Sequence, residues 1–117
     1  MKLMDVVDEA KRVAKESDTG RHAAIVVHDG PLRQSVLALT EGTELAPHNS
    51  PPAASIFVIE GEITIVGTET DTIREGELKA LTHVRHGVVA NLDSVFLLTT
   101  VTGIEGTDSH DERQSVS

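Results

Sequence analysis

The chemistry available to this chain rests on six histidines and nineteen carboxylates, with no cysteine and no tyrosine. Without cysteine there is no thiolate nucleophile, no disulfide and no sulfur-ligated zinc. With no phenol either, histidine is the one credible general base. Two histidines stand out by position: His48, just before the break Ser50-Pro51-Pro52, and His86, at the head of the apolar run His86–Asn91. Alternate residues of a strand share a face. That rule puts Ala46, His48 and Ser50 on one face, Ala54, Ile56 and Val58 on one face of the next strand, and His86, Val88 and Ala90 on one face of a later one. If those faces all point inward, two imidazoles look into a cavity walled by Ala, Ile and Val, which is how small-ligand sites are usually built. The expected pocket residues are therefore His48, His86, Ser50, Ala54, Ile56 and Val88.

Whether those imidazoles hold a metal depends on a third ligand. Catalytic zinc takes three protein ligands, and the non-haem iron triad takes two histidines and a carboxylate. Glu44 shares the parity of His48 but lies two side-chain steps away along the strand. His83 stands three residues before His86 in a turn, and Asn49 or Ser50 would be weak donors. A divalent transition metal held weakly by His48 and His86 is one expectation; two hydrogen-bonded pocket histidines without metal is the other. Arg85, beside His86, could form an anion-binding rim with Arg33, although an arginine on a turn is commonly only solvated. His22, His28 and His110 receive no role. No Gly-rich phosphate loop, serine nucleophile elbow or paired catalytic carboxylate appears.

The elements that must carry these residues follow from pattern. Leu3, Val6, Val7, Ala10, Val13 and Ala14 recur at three- and four-residue steps and predict an amphipathic helix over Met1–Glu16. It is stopped by Ser17-Asp18-Thr19-Gly20. Acids gather toward its start and bases toward its end, as the helix dipole favours. From Arg21 the pattern becomes short β-type runs: Ala23–Val27, Leu32–Thr40, Leu45–His48, Ala54–Ile59, Ile63–Val66, Thr70–Ile73, Leu78–Leu81, His86–Asn91 and Val95–Thr102. Turn signals separate them, among them Asp29-Gly30-Pro31, Glu41-Gly42, Glu60-Gly61 and Glu75-Gly76. Many short strands without a second long helix predict antiparallel pairing in a sandwich or small barrel. The organisation expected is a helix and stop over 1–20, a β-barrel over 21–102, and a disordered acidic tail over 103–117.

Composition narrows the function classes. The chain has 117 residues, enough for one domain with a core. A net charge of −9 repels phosphate backbones and argues against nucleic-acid partners. No apolar run reaches the roughly 20 residues of a membrane span. No basic segment leads into an apolar core near the start, so a cytoplasmic protein is expected.

The order of parts resembles the small single-domain cupins, double-stranded β-barrels of the jelly-roll class. Their first motif runs Gly, five residues, His-x-His, then a Glu and later a Gly; the second runs from a Gly through a strand and a Pro-x-Gly turn to a His. Here Gly42 is followed by five residues and His48. The second His of the motif falls on Ser50, its Glu falls on Ala54, and Gly61 is in place. Gly76 opens the second motif, Thr82-His83-Val84 stands at the Pro-x-Gly turn, and His86 fills the last position one residue early. The similarity covers Leu32 to Thr102 and implies an all-β, jelly-roll cupin barrel. In metal-binding cupins the ligand set is three histidines and a glutamate; two of those four positions are kept, His48 and His86.

Phe57 and Ile59 have the parity opposite to Ile56 and Val58 and need cover from the helix, a second sheet or a second subunit. Small cupins commonly pair through such sheets, so a homodimer is expected. Three functional classes remain open: a small-molecule binding or sensing module, a metal-dependent oxygenase or isomerase, and a barrel with an inert pocket.

Overall fold

The computed structural model describes residues 1–48, 53–67, 69–81 and 86–102, with Pro47 and His48 described by their backbone. One helix, α1 (Leu3–Glu16), precedes nine strands: β1 (Arg21–Asp29), β2 (Leu32–Leu39), β3 (Glu44–His48), β4 (Ala53–Glu60), β5 (Glu62–Val66), β6 (Thr70–Arg74), β7 (Leu78–Leu81), β8 (His86–Ala90) and β9 (Ser94–Val101). Every expected run is a strand, because each is bounded by residues that break extended structure. The expected tail, 103–117, lies outside the described residues.

The strands form two antiparallel sheets, one ordered β1-β2-β9-β4-β7 and the other β3-β8-β5-β6. Their facing surfaces make the inner core of Leu39, Ile56, Val58, Ile63, Ile65, Ile73, Ala90 and Phe96, with Leu37, Leu45, Leu81, Val88 and Leu98 packed around it. The fold is an all-β jelly-roll barrel. On one side the two sheets part between β6 and β7, and there Lys79 Nζ meets Asp71 Oδ2 at 2.9 Å. The hydrogen bond from Lys79 holds the Asp71 carboxyl below its ordinary value.

The helix lies on the outside of the larger sheet. Val7, Ala10 and Ala14 are buried against Val36, Ala38 and Val95, with Val6, Val26, Ile59 and Leu97 at the margin. The stripe is narrow because small residues dominate it, so the helix seats close to β2 and β9. Burying Val7 alone is worth about 1.5–3 kcal/mol. Lys11 Nζ binds Glu60 Oε1 at 2.8 Å, and this hydrogen bond raises the Lys11 ammonium above its ordinary value. The helix thus covers Ile59, one of the two outward residues that needed it. Phe57 stays half-buried on β4, opposite Leu97 and Leu78 in the ladder.

Candidate functional site

Register sets which residues share each end of the barrel. Opposed residues of an antiparallel pair share a sheet face. In the larger sheet Leu37, Phe96 and Val58 form one inward row; Ser35, Leu98, Ile56 and Lys79 form the next. The third is His28, Arg33, Thr100, Ala54 and Leu81. In the smaller sheet the matching rows are Ala90, Ile63 and Ile73, then Leu45, Val88, Ile65 and Asp71. Beyond them, position 48 stands across from position 86. The Lys79–Asp71 pair joins the second rows of the two sheets, so the third rows lie at the same end. Beside the first rows, backbone hydrogen bonds from Gly42 to Ala90 and from Asn91 to Glu62 carry the ladders of the smaller sheet into its turns.

The expected site residues fall as follows. His86 is half-buried at the start of β8 and has the inward parity of Val88 and Ala90. No described residue hydrogen-bonds its ring. The His48 Cα pairs with the His86 Cα. Ala54 is half-buried in the third row, and Val88 is half-buried in the second. Ile56 is 1% exposed and belongs to the inner core, where it floors the end that Ala54 borders. Ser50, Asn49, His83 and Arg85 lie outside the described residues.

One expectation needs correcting. Strict alternation put Glu44 and Ala46 on the face of His48, but the ladder slips between Leu45 and His48. Leu45 pairs with Val88 and packs on the inner core, while Glu44 pairs with Val89 and is exposed, as is Ala46. An extra residue in one strand of a pair reverses the parity of everything after it. Glu44 is therefore not a candidate third ligand. Among the described residues no three His, Asp or Glu side chains come together as a metal site, so the described residues do not supply the ligand set of a tight catalytic metal.

Arg33 was noted from sequence only as half of a rim with Arg85. In the structure its Nη2 lies 3.1 Å from Nε2 of the exposed His28 and its Nε is buried, while Arg85 lies outside the described residues. The signal for this was present in the alternation Arg33, Ser35, Leu37, Leu39. It was masked because the opposite face of β2, with Leu32, Val36 and Ala38, is just as apolar.

This two-sheet arrangement is the cupin fold. The chain superposes on a conserved protein of unknown function from Streptococcus pyogenes with a TM-score of 0.68 at 23% identity, covering 75% of this chain and 79% of that one. A cupin superfamily protein from Desulfitobacterium hafniense gives a TM-score of 0.67 at 10% identity, covering 71% and 78%. Salicylate 1,2-dioxygenase from Pseudoaminobacter salicylatoxidans gives 0.70 at 18% identity; 83% of this chain matches 31% of that larger one. No family model and no curated protein matches the sequence. At these identities the likeness establishes the fold of the chain.

Proposed function

We propose that the end of the barrel where positions 48 and 86 stand is an open pocket that binds a small molecule, with His48 and His86 as its polar contacts and Ser50, Ala54, Ile56 and Val88 as its walls. The observation that supports this most is the register of position 48 opposite position 86, at the end bordered by half-buried Ala54. The protein in this reading is a cytoplasmic binding or sensing module, and any divalent transition metal is held weakly. No described helix is long and apolar enough to cross a membrane.

A second reading, a metal-dependent oxygenase or isomerase, is favoured by the likeness to salicylate 1,2-dioxygenase. Elemental analysis of untagged wild type beside His86→Ala separates the two. The expected result is well under one equivalent of transition metal per chain in wild type. The companion measurement is a calorimetric ligand screen, in which a ligand at a hundred times its Kd stabilises the native state by about 2.7 kcal/mol and loses that effect in His86→Ala. One equivalent of metal in wild type, absent from the variant, would replace the binding reading with the enzyme. A screen without any stabilising ligand would leave an inert pocket.

The same reading includes a second copy of the chain. On the outer face of the larger sheet, beyond the helix, Leu78 is 69% exposed, and exposed Ala53 and Ala80 share that face with half-buried Phe57. A second copy laid on this face would cover them. Light scattering at micromolar concentration is expected to give twice the 12.5 kDa chain mass, and Leu78→Asp is expected to return it to a monomer. A monomeric wild type would end the dimer proposal.

A further inference from the structure

The two sheets differ in width. Short turns carry β2 into β3, β4 into β5, β6 into β7 and β8 into β9, and each of these pairs has one strand in either sheet. The strands β2, β9, β4 and β7 therefore stand across from β3, β8, β5 and β6, and β1 is a fifth strand with no described strand opposite. Its side chains bear the mark of this. Arg21, Ala23 and Ile25 pair with Leu39, Leu37 and Ser35 and so share the inward face. All three are exposed, Ile25 by 60%. Between them, His22 and Ala24 are half-buried on the face that carries the helix, where Val26 also packs. An inward face more exposed than the outward one is the reverse of the usual sandwich strand. Among the described strands β1 pairs only with β2, and β3, the marginal strand of the smaller sheet, only with β8. Each presents a row of unpaired backbone groups along one edge, which sheets normally blunt or cover.

We propose that a second copy of the chain lays its β1 along the edge of β3 and receives the first copy's β1 along its own β3 in return. A two-fold axis running along the strands does both at once, since it sets the larger sheet of one copy level with the smaller sheet of the other. Each β1 then widens the partner's four-stranded sheet to five strands and lies face to face with the partner's β1, so that Ile25 meets Ile25 of the partner subunit. A second copy is the occupant because the free edge and the uncovered face belong to the same molecule, and one isologous contact satisfies each of them twice. The charges agree. The axis keeps each end of the barrel with its like, and Gly20, next to Arg21, accepts from Thr40 N–H in the turn that leads through Thr43 into Glu44. The basic start of β1, Arg21 and His22, thus comes to the acidic start of β3. The contact is small: β3 has five residues, Pro47 among them brings no N–H, and β1 is regular only from Arg21 to Ile25. It therefore fills at higher concentration than a standard interface. It leaves the Leu78 face untouched, so one chain holds both contacts and four copies close with two kinds of two-fold axis.

Sedimentation velocity of the full chain, from micromolar to near-millimolar concentration, tests this. Wild type is expected to pass from two copies to four as concentration rises. Ile25→Asp is expected to stay at two, because it sets like charges against each other across the axis, and Leu78→Asp to pass from one copy to two. Ala23→Arg, on the same exposed face, serves as the second variant should Ile25→Asp fail to fold. Since the chain has no cysteine, Ile25→Cys supplies a single thiol. A short bis-maleimide is expected to join it to its partner at least about tenfold faster than it joins Val66→Cys, which is exposed on the smaller sheet away from the axis. A micromolar pair that Ile25→Asp dissolves and Leu78→Asp does not would make β1 the stronger contact and end the Leu78 proposal alone. A wild type that never exceeds two copies, with that pair lost in Leu78→Asp, would overturn the β1 contact and leave the Leu78 face standing. Four copies indifferent to both Ile25→Asp and Ala23→Arg, or equal cross-linking of the two thiols, would overturn it as well.

Discussion

Gly61→Ala is expected to cost about 2–5 kcal/mol, a large share of the stability of a domain this size. Gly61 turns the chain from β4 into β5 with φ +90°, a conformation that disfavours any Cβ by about 1–2 kcal/mol. The space is also taken. An added Cβ would meet Ser94 Oγ, the Asp93 carbonyl oxygen at 2.5 Å and Ser94 Cα at 2.8 Å, and two of those three are backbone atoms that cannot swing aside. Overpacking of this kind adds about 1–3 kcal/mol. Ser94 cannot yield cheaply, because its buried hydroxyl accepts from the Glu62 N–H at 2.9 Å and lies within donating distance of the Leu92 and Glu62 carbonyls. Gly42→Ala is the control: φ is +86° there, but an added Cβ meets nothing within 4 Å, so only the backbone term of about 1–2 kcal/mol applies. Urea unfolding followed by circular dichroism compares the two. Equal losses would show that the close approach at Gly61 carries no cost.

Phe96→Ala is expected to cost about 3–5 kcal/mol by a different route. Phe96 is 1% exposed, on the inward face of β9 between Leu37 and Val58. Removing the ring leaves a void that these strands cannot close without breaking their ladders. Phe57→Ala removes the same atoms from a half-buried outward site and should cost clearly less. Because the chain has no Trp or Tyr, backbone dichroism rather than intrinsic fluorescence is the suitable probe for both. A loss at Phe57 as large as that at Phe96 would mean that the outer face is as well packed as the inner one.

Much of the architecture is legible in the residues, because its signals are local. Gly42, Gly61 and Gly76 mark turns where φ is positive, and the β-branched runs between them have nowhere else to go. The helix is legible from its stripe, though the stripe itself does not distinguish a sheet of the same chain from a partner subunit; Val36, Ala38 and Val95 settle that only once β2 and β9 are paired. The site was less legible. The ladder slips at Ile25/Val27, Leu45/His48 and Val58/Glu60, and only the second holds a residue that signals an irregular or edge strand, Pro47. The second of these removed Glu44 from the histidine face. Arg33 was hidden for a related reason, since its burial depends on Thr100, sixty-seven positions away and paired with it only through the β2–β9 register.

The slip in β3 has a consequence for how such barrels change over evolutionary time. The strand is at the margin of its sheet and pairs, among the described strands, only with β8, so one residue gained or lost there disturbs a single ladder and leaves the inner core intact. The same event exchanges the face of every position downstream until the chain next turns. A marginal strand is thus where a lineage can acquire or discard an inward-facing group in one insertion or deletion, at little cost in folding. Functional residues in these barrels are then better carried from one protein to another by ladder position than by counting along the chain.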